Sequence, residues 1–222
     1  MENIFACYKP KGITSNDLVQ KVRTLVGRDV KVGHAGTLDP LAQGVLVIAV
    51  GREATKKIDE VVQKEKEYVA HITFGRESST DDAEGEKTEI KFSAIPTRED
   101  IQAILPEFTG LINQVPPIYS AIKIDGKEAY KYARQGQDIE MESREVEVKD
   151  IEILDYMWPL LKLRIVTGPG VYIRSLARDI GRRFGVGGYL SFLERTRVGD
   201  FKKEDAVLIE NLPIFLKDIK VG

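Results

Sequence analysis

A domain that mixes helices and strands is what this sequence predicts, and three stretches predict it. Residues Tyr68 to Phe74 alternate, with Tyr68, Ala70, Ile72 and Phe74 on one side and Val69, His71 and Thr73 on the other, which makes a strand. The run Val45 to Val50 is apolar throughout and reads as a strand buried on both faces. Thr14-Ser15-Asn16-Asp17 has the Thr-x-x-Asp form of a helix start. It precedes Leu18, Val19, Val22, Leu25 and Val26 at helical spacing, with Gly27 as the stop.

The other elements follow in order. Ile4 to Tyr8 reads as a short strand and Lys9-Pro10-Lys11-Gly12 as a turn. After the first helix comes a glycine-rich loop, Gly33 to Gly44, which feeds the apolar strand, and Arg52 to Val62 reads as a helix. The acidic segment Gly75 to Gly85 lacks the spacing and terminal Glu of a calcium loop, so a solvated hairpin tip is expected. Thr97 to Phe108 is a predicted helix with Glu99-Asp100 in its first turn and Gly110 at its end.

Gln114 to Lys123 must be extended around Pro116-Pro117, and Asp125-Gly126 is a hairpin-type turn. Lys127 to Arg134 suggests a short helix. Val146 to Val148 and Ile151 to Ile153 alternate out of phase, so a strand with an irregularity near Lys149-Asp150 is expected, and Leu161, Leu163 and Ile165 mark another strand. A glycine turn at Gly168-Pro169-Gly170 opens a helix through Arg183. The chain closes with a strand around Tyr189 to Leu193, a basic-polar stretch from Arg195 to Gly199, and a helix near Glu204 to Asn211.

Composition narrows the function. No linker, repeat or low-complexity tract divides the 222 residues, so one domain over 1–222 is expected. The N-terminus lacks the basic and apolar regions of a signal peptide, and Val45 to Val50 is too short to span a bilayer. A lone cysteine, Cys7, fits a reducing compartment, so the expected setting is cytoplasm without membrane attachment. With only His34, His71 and Cys7 as soft ligands, no metal site is expected. A formal charge of -2 argues against a globally basic nucleic-acid binder but leaves room for a local basic face.

The common phosphate, acyl-transfer and zinc-protease motifs are absent, and Gly168-x-Gly170 lacks the third glycine of a dinucleotide fingerprint, with Ile at 173. What remains is a carboxylate, Asp39, on the glycine loop. Pro40 pushes it toward an extended backbone, while Gly33 and Gly36 permit close approach of another chain. Locally, Asp39 is read either as a turn cap or as a nucleophile, which would need orientation and a cationic partner such as Arg174. Tyr68 and Tyr172 are read either as core tyrosines or as rings that stack on a base, and His34 as a loop hydrogen-bonding residue. Lys127, Lys131 and Arg134 with Tyr130 and Tyr132 between them suit either RNA or a solvated helix.

The stretch Gly33-His34-Ala35-Gly36-Thr37-Leu38-Asp39-Pro40-Leu41-Ala42-Gln43-Gly44 closely resembles the signature of the TruB-type tRNA pseudouridine-55 synthases. Further blocks follow in family order: Lys9-Pro10-x-Gly12 with Ser15-Asn16-Asp17, Lys66-x-Tyr68, Gly75 through Thr80-Asp81-Asp82 to Gly85, and Pro116-Pro117-x-Tyr119-Ser120-Ala121-x-Lys123. Tyr130-x-Tyr132-Ala133-Arg134-x-Gly136 and Gly170-x-Tyr172-Ile173-Arg174 complete the set. The resemblance implies an α+β pseudouridine synthase fold with a mixed, largely antiparallel sheet flanked by helices and loops, and an inserted RNA-gripping segment at about 115–149.

By the same resemblance the chain isomerises uridine to pseudouridine in the T loop of tRNA, with no cofactor. Asp39 is the nucleophile and Tyr68 stacks on the base and assists proton removal. His34 lines the path of the flipped nucleotide, Tyr172 and Leu193 complete the base pocket, and Arg174 pairs with Asp39. The expected partner is the T arm of tRNA, bound by a monomer. The RNA-contacting cations are expected to be Lys9, Lys123, Lys127, Lys131, Arg134, Arg195 and Arg197, so binding should weaken steeply as salt rises. Two departures from the family pattern are Val171, where Thr or Ser is usual, and the end of the sequence at Gly222, from which no PUA-type domain is expected. The alternatives are a non-catalytic factor that folds the same T arm, and a synthase acting on another RNA.

Overall fold

The computed structural model describes residues 3–120, 122–124, 126–133, 135, 137 and 139–219. The chain runs through β1 (Ile4–Lys9), α1 (Ser15–Val26), β2 (Val32–Ala35), β3 (Gln43–Val50), α2 (Arg52–Lys56), α3 (Ile58–Val62) and β4 (Lys66–Phe74). It continues through β5 (Arg76–Ser78), β6 (Lys87–Glu89), α4 (Arg98–Ile104), β7 (Gly110–Gln114), β8 (Lys123–Ile124), β9 (Lys127–Glu128) and α5 (Ala129–Ala133). Last come β10 (Arg144–Met157), β11 (Leu160–Thr167), α6 (Ile173–Arg183), β12 (Gly188–Val198), β13 (Phe201–Lys202), β14 (Val207–Leu208) and α7 (Leu212–Phe215).

The expected α+β class is borne out. The main sheet has the hydrogen-bonded order β14-β1-β3-β12-β4-β11-β10-β7, with β2 also on β3 and β13 on β12. It is mostly antiparallel; β1 with β14 and β3 with β12 are parallel pairs. By compactness the chain divides into a first unit, Met1–Val69, Val166–Pro169 and Leu193–Gly222, and a second, Ala70–Ile165 and Gly170–Phe192.

In the first unit, α1 starts at the capping box read from the sequence. The Asp17 N–H donates to Thr14 Oγ1 at 3.0 Å, and the Thr14 N–H donates back to Asp17 Oδ2 at 2.8 Å. The helix buries Leu18, Val19 and Val22 on one stripe, worth roughly 5–8 kcal/mol as an upper, area-based figure. β3 is buried at every residue from Gly44 to Val50, so its apolar run does reflect burial on both faces. One face of it joins Ile4, Ala6, Ala35, Ala54, Val61 and Val198 in a continuous core. Cys7 lies in β1 with no exposure, and burial pushes its thiol up to about 12.

Three expectations are corrected. The helix expected over Arg52 to Val62 is two short helices that part at Lys57, whose ψ of 0° breaks the helical run. The helix expected near Glu204 to Asn211 is instead two 3₁₀ turns on either side of β14, because Val207 and Leu208 pair with the edge of β1 at Cys7 and Tyr8. The third lies in the second unit. β5 and β6 do form a hairpin, yet its tip is solvated only in part: Ser79, Ala83 and Glu84 are exposed, whereas Asp82 is 2% exposed and Ser78 8%.

Arginines on α6 account for that burial, since Arg174 pairs with Asp82 at 3.4 Å and Arg178 with Asp81 at 2.8 Å. β10 is continuous through Lys149-Asp150. Val148 and Ile151 are buried while the two residues between them are exposed, so the change of phase read from the sequence is present. Among the described residues no helix is long and apolar enough to cross a membrane.

Candidate active site

The glycine loop connects β2 to β3 in the first unit, and four contacts fix the residues around Asp39. Ser15 Oγ, at the start of α1, donates to the Leu38 carbonyl and accepts from the Leu38 N–H, both at 2.9 Å. The Gly12 N–H donates to the Pro40 carbonyl at 2.8 Å, and the Ala42 N–H closes a turn onto the Asp39 carbonyl at 3.0 Å. Leu38, Leu41 and Ala42 are buried, which anchors the loop on both sides of the half-buried Asp39. Asp39 therefore does head a turn through its main chain, as an Asp-Pro pair commonly does. Its carboxylate is a separate resource.

Beneath this loop lies a cluster of buried cations. Arg195, on β12, is 1% exposed and donates from Nε to the Val45 carbonyl at 2.7 Å, from Nη2 to Gly36 at 3.0 Å and from Nη1 to Thr37 at 3.4 Å. β12 comes this close because Gly44, at φ +111°, has no side chain: a Cβ there would run into the Arg195 carbonyl. Lys9 has no exposure, and its Nζ donates to Pro10 at 3.0 Å and Ile13 at 2.8 Å. Burial pushes its ammonium down to about 8, against the opposing pull of Asp39. Lys66 donates to the Val62 and Lys64 carbonyls, both at 2.8 Å, and burial, reinforced by Arg195, pushes it down to about 8.

Tyr68 and His34 share this environment. Tyr68 is 6% exposed; burial raises its phenol, while the charge and hydrogen bond of Arg195 hold it back. His34 is half-buried, and its pKa is lowered by burial and then by Arg195. Its Nδ1 is buried without a hydrogen-bond partner among the described residues. Leu193, 6% exposed, lies on β12 beside Glu194, which pairs in register with Gln43 and accepts from Tyr8 at 2.7 Å.

Of the expected site residues, His34, Asp39, Tyr68 and Leu193 thus belong to the first unit. The expected basic face needs correction. Lys9 and Arg195 are buried with their donors on main-chain carbonyls, and Arg197 is half-buried and paired with Glu65 at 2.7 Å. Lys131 is exposed. Arg134 and the side chains of Lys123 and Lys127 lie outside the described residues.

Tyr172 and Arg174 belong to the second unit. Tyr172 precedes α6 and exchanges two hydrogen bonds with Gln114: its N–H donates to Oε1 at 2.8 Å and its carbonyl accepts from Nε2 at 3.1 Å. Arg174, 6% exposed, reaches Asp82, the Thr80 carbonyl at 3.4 Å and the Tyr119 carbonyl at 2.9 Å. Ser175 and Arg178 both donate to the Val115 carbonyl at 2.8 Å. The extended 114–120 segment is in this way tied to the first two turns of α6. Sequence reasoning missed Ser15, Lys66 and Arg195 as supports of the loop. The signal available for Arg195 was Gly44, a glycine at the start of a buried strand, which marks close approach by another backbone.

The chain matches known proteins along most of its length. A family model described as TruB family pseudouridylate synthase (N terminal domain) matches residues 23–173, and one described as tRNA pseudouridylate synthase B C-terminal domain matches residues 174–217. The chain is 46% identical over 205 residues to the tRNA pseudouridine synthase B of Brucella ovis, covering 92% of this chain and 62% of the relative. To that of Parabacteroides distasonis it is 42% identical over 214 residues, covering 94% and 91%. It thus spans less than two thirds of the Brucella relative and nearly all of the other.

Two solved structures are similar as well. A chain in the crystal structure of a Cbf5-Nop10-Gar1 complex matches with a TM-score of 0.74 and 30% identity, over 97% of this chain and 55% of that one. A chain in an H/ACA RNP bound to a substrate RNA containing 2'-deoxyuridine matches with a TM-score of 0.70 and 28% identity, over 97% and 54%.

Proposed function

This chain belongs to the TruB family of pseudouridylate synthases, and from that premise we propose that it converts uridine to pseudouridine in the T loop of tRNA, at position 55, with Asp39 as nucleophile. The observation that carries this reading is the signature loop from Gly33 to Gly44, with its one carboxylate between anchors at Leu38 and Pro40. Catalysis by a carboxylate depends on holding it where the reacting atom will be, and a loop tied on both sides of Asp39 meets that need.

In this reaction Asp39 acts on the uridine, the bond between N1 and C1′ breaks, and the uracil turns so that C5 bonds to C1′. The C5 proton is lost and N1 gains one, so product and substrate are isomers. No net redox or hydrolysis occurs, and the chemistry requires neither cofactor nor metal. Tyr68 stacks on the base and assists removal of the C5 proton. What supports that role is its place: Tyr68 is 6% exposed, on the same unit as Asp39 and under the field of Arg195, which opposes the rise that burial gives the phenol. His34 lines the path of the flipped nucleotide, a reading supported by its Nδ1, which has no hydrogen-bond partner among the described residues. Leu193 forms part of the pocket in this reading, and Tyr172 and Arg174 keep the base-pocket and cation roles that the family resemblance implies. Flipping the base costs a few kcal/mol, which these pocket contacts offset.

The tRNA substrate is favoured over other RNAs by relatives of 42–46% identity that are named as tRNA enzymes, against 28% for the chain of the H/ACA RNP. The test is to measure pseudouridine in a T-arm RNA treated with wild type and with Asp39→Asn. Product from the wild type alone is expected. Equal product from both refutes the nucleophile, and binding without product from either makes the chain a folding factor.

A further inference from the structure

Arg195 is, by sequence, a cation in a basic-polar stretch of the kind that meets RNA phosphates, and its surroundings exclude that. The residue is 1% exposed and its guanidinium hydrogen bonds run inward. Gly36 and Thr37 lie on the arm of the loop that enters Asp39, and Val45 lies on the strand that leaves it. One planar fork therefore joins the two arms. Tyr68, buried in the same unit, feels the Arg195 charge, which opposes the rise that burial gives its phenol.

A buried cation is a poor way merely to stabilise a fold, because desolvation costs several kcal/mol that an apolar residue would avoid. Lysine could not reproduce the contact either: an ammonium is a point donor, whereas three carbonyls in different directions call for a rigid fork. The close approach of β12 at Gly44 is what delivers the fork to this point.

We propose that Arg195 is a positioning residue that fixes the two arms of the Asp39 loop relative to one another by bonding the Gly36, Thr37 and Val45 carbonyls at once. Its contribution to catalysis rests on the reading that Asp39 is the nucleophile. It acts through these groups and does not touch the RNA. Substituting it lowers the chemical step and leaves the affinity for RNA as it was. A phosphate-binding arginine would do the reverse.

The experiment compares wild type, Arg195→Met and Arg195→Lys by three measurements: amide hydrogen exchange across residues 36–46, single-turnover conversion of a T-arm RNA under saturating enzyme, and RNA affinity. Exchange in Arg195→Met is expected to rise about tenfold, as for the loss of one charge-assisted anchor. The single-turnover rate should fall on the order of a hundredfold with the RNA dissociation constant unchanged. Arg195→Lys should recover only part of both losses. If Arg195→Met does not fold, Arg195→Lys decides the question by the same measurements.

Unchanged exchange in the loop, full recovery by lysine, or a rate loss matched by a loss of affinity overturns the proposal. Asp39→Asn run in parallel separates the two ideas. If it keeps full activity the catalytic reading fails, while the exchange data still decide whether Arg195 holds the loop.

Discussion

Replacing Ser15 with alanine removes a single hydroxyl and tests how the Asp39 loop is held. Ser15 is 3% exposed, and its Oγ makes two hydrogen bonds, both to the main chain of Leu38. Leu38 is itself 3% exposed, so water cannot readily take the place of the hydroxyl. Two net hydrogen bonds at about 1 kcal/mol each are lost, and the stranded N–H and carbonyl add a desolvation cost, for a total of about 3 kcal/mol. For a chain of this size that is a fall in Tm of roughly 6–12 °C. Urea denaturation and a thermal scan measure it. Because Leu38 adjoins Asp39, turnover per folded molecule should fall as well, with RNA affinity retained. A stability change within about 0.5 kcal/mol, as for an ordinary surface site, would show that the hydroxyl does not hold the loop.

Two further outcomes follow from the same region. Lys66 is held down to about 8 when folded, against an ordinary value of 10.5, so the folded state releases its proton first and the unfolded state binds more protons between those values. Wild type should therefore gain stability relative to Lys66→Met as pH rises from 7 to 10, and parallel curves in urea titrations at the two pH values would refute it. Gly44→Ala forces a side chain into φ +111° and against the Arg195 carbonyl, so it should lose at least about 2 kcal/mol and disorder the start of β3. Wild-type stability in that variant would mean that the strands have room to part.

Most of the framework is legible in local pattern. The Thr14 to Asp17 box, the alternation of Tyr68 to Phe74 and the uninterrupted run of β3 each specify their own element, because capping, pleat and two-sided burial act within a few residues. What escaped local reading is set by partners far along the chain. The acidic tip looks solvated until Arg174 and Arg178 are placed against it, 92 and 97 residues away. Arg195 looks exposed because alternation was followed only to Leu193, whereas β12 extends to Val198. The C-terminal helix was lost to an edge strand that Val207 and Leu208 complete only when β1 is beside them. Likewise, Asp39 is visible as a candidate from its loop, but the residues that hold the loop come from α1 and β12.

The bond from Arg195 Nε to the Val45 carbonyl joins residues 150 apart in sequence. During synthesis, at roughly 5–20 residues per second, the arginine emerges about 8–30 s after the loop it secures. Asp39 is thus made early and set late. A nascent chain that has already displayed its carboxylate lacks β12, and pairing across so long a separation carries a loop-closure cost that local contacts do not. On the role proposed for Arg195, a growing polypeptide lacks this anchor of the Asp39 loop until β12 has been made and has docked.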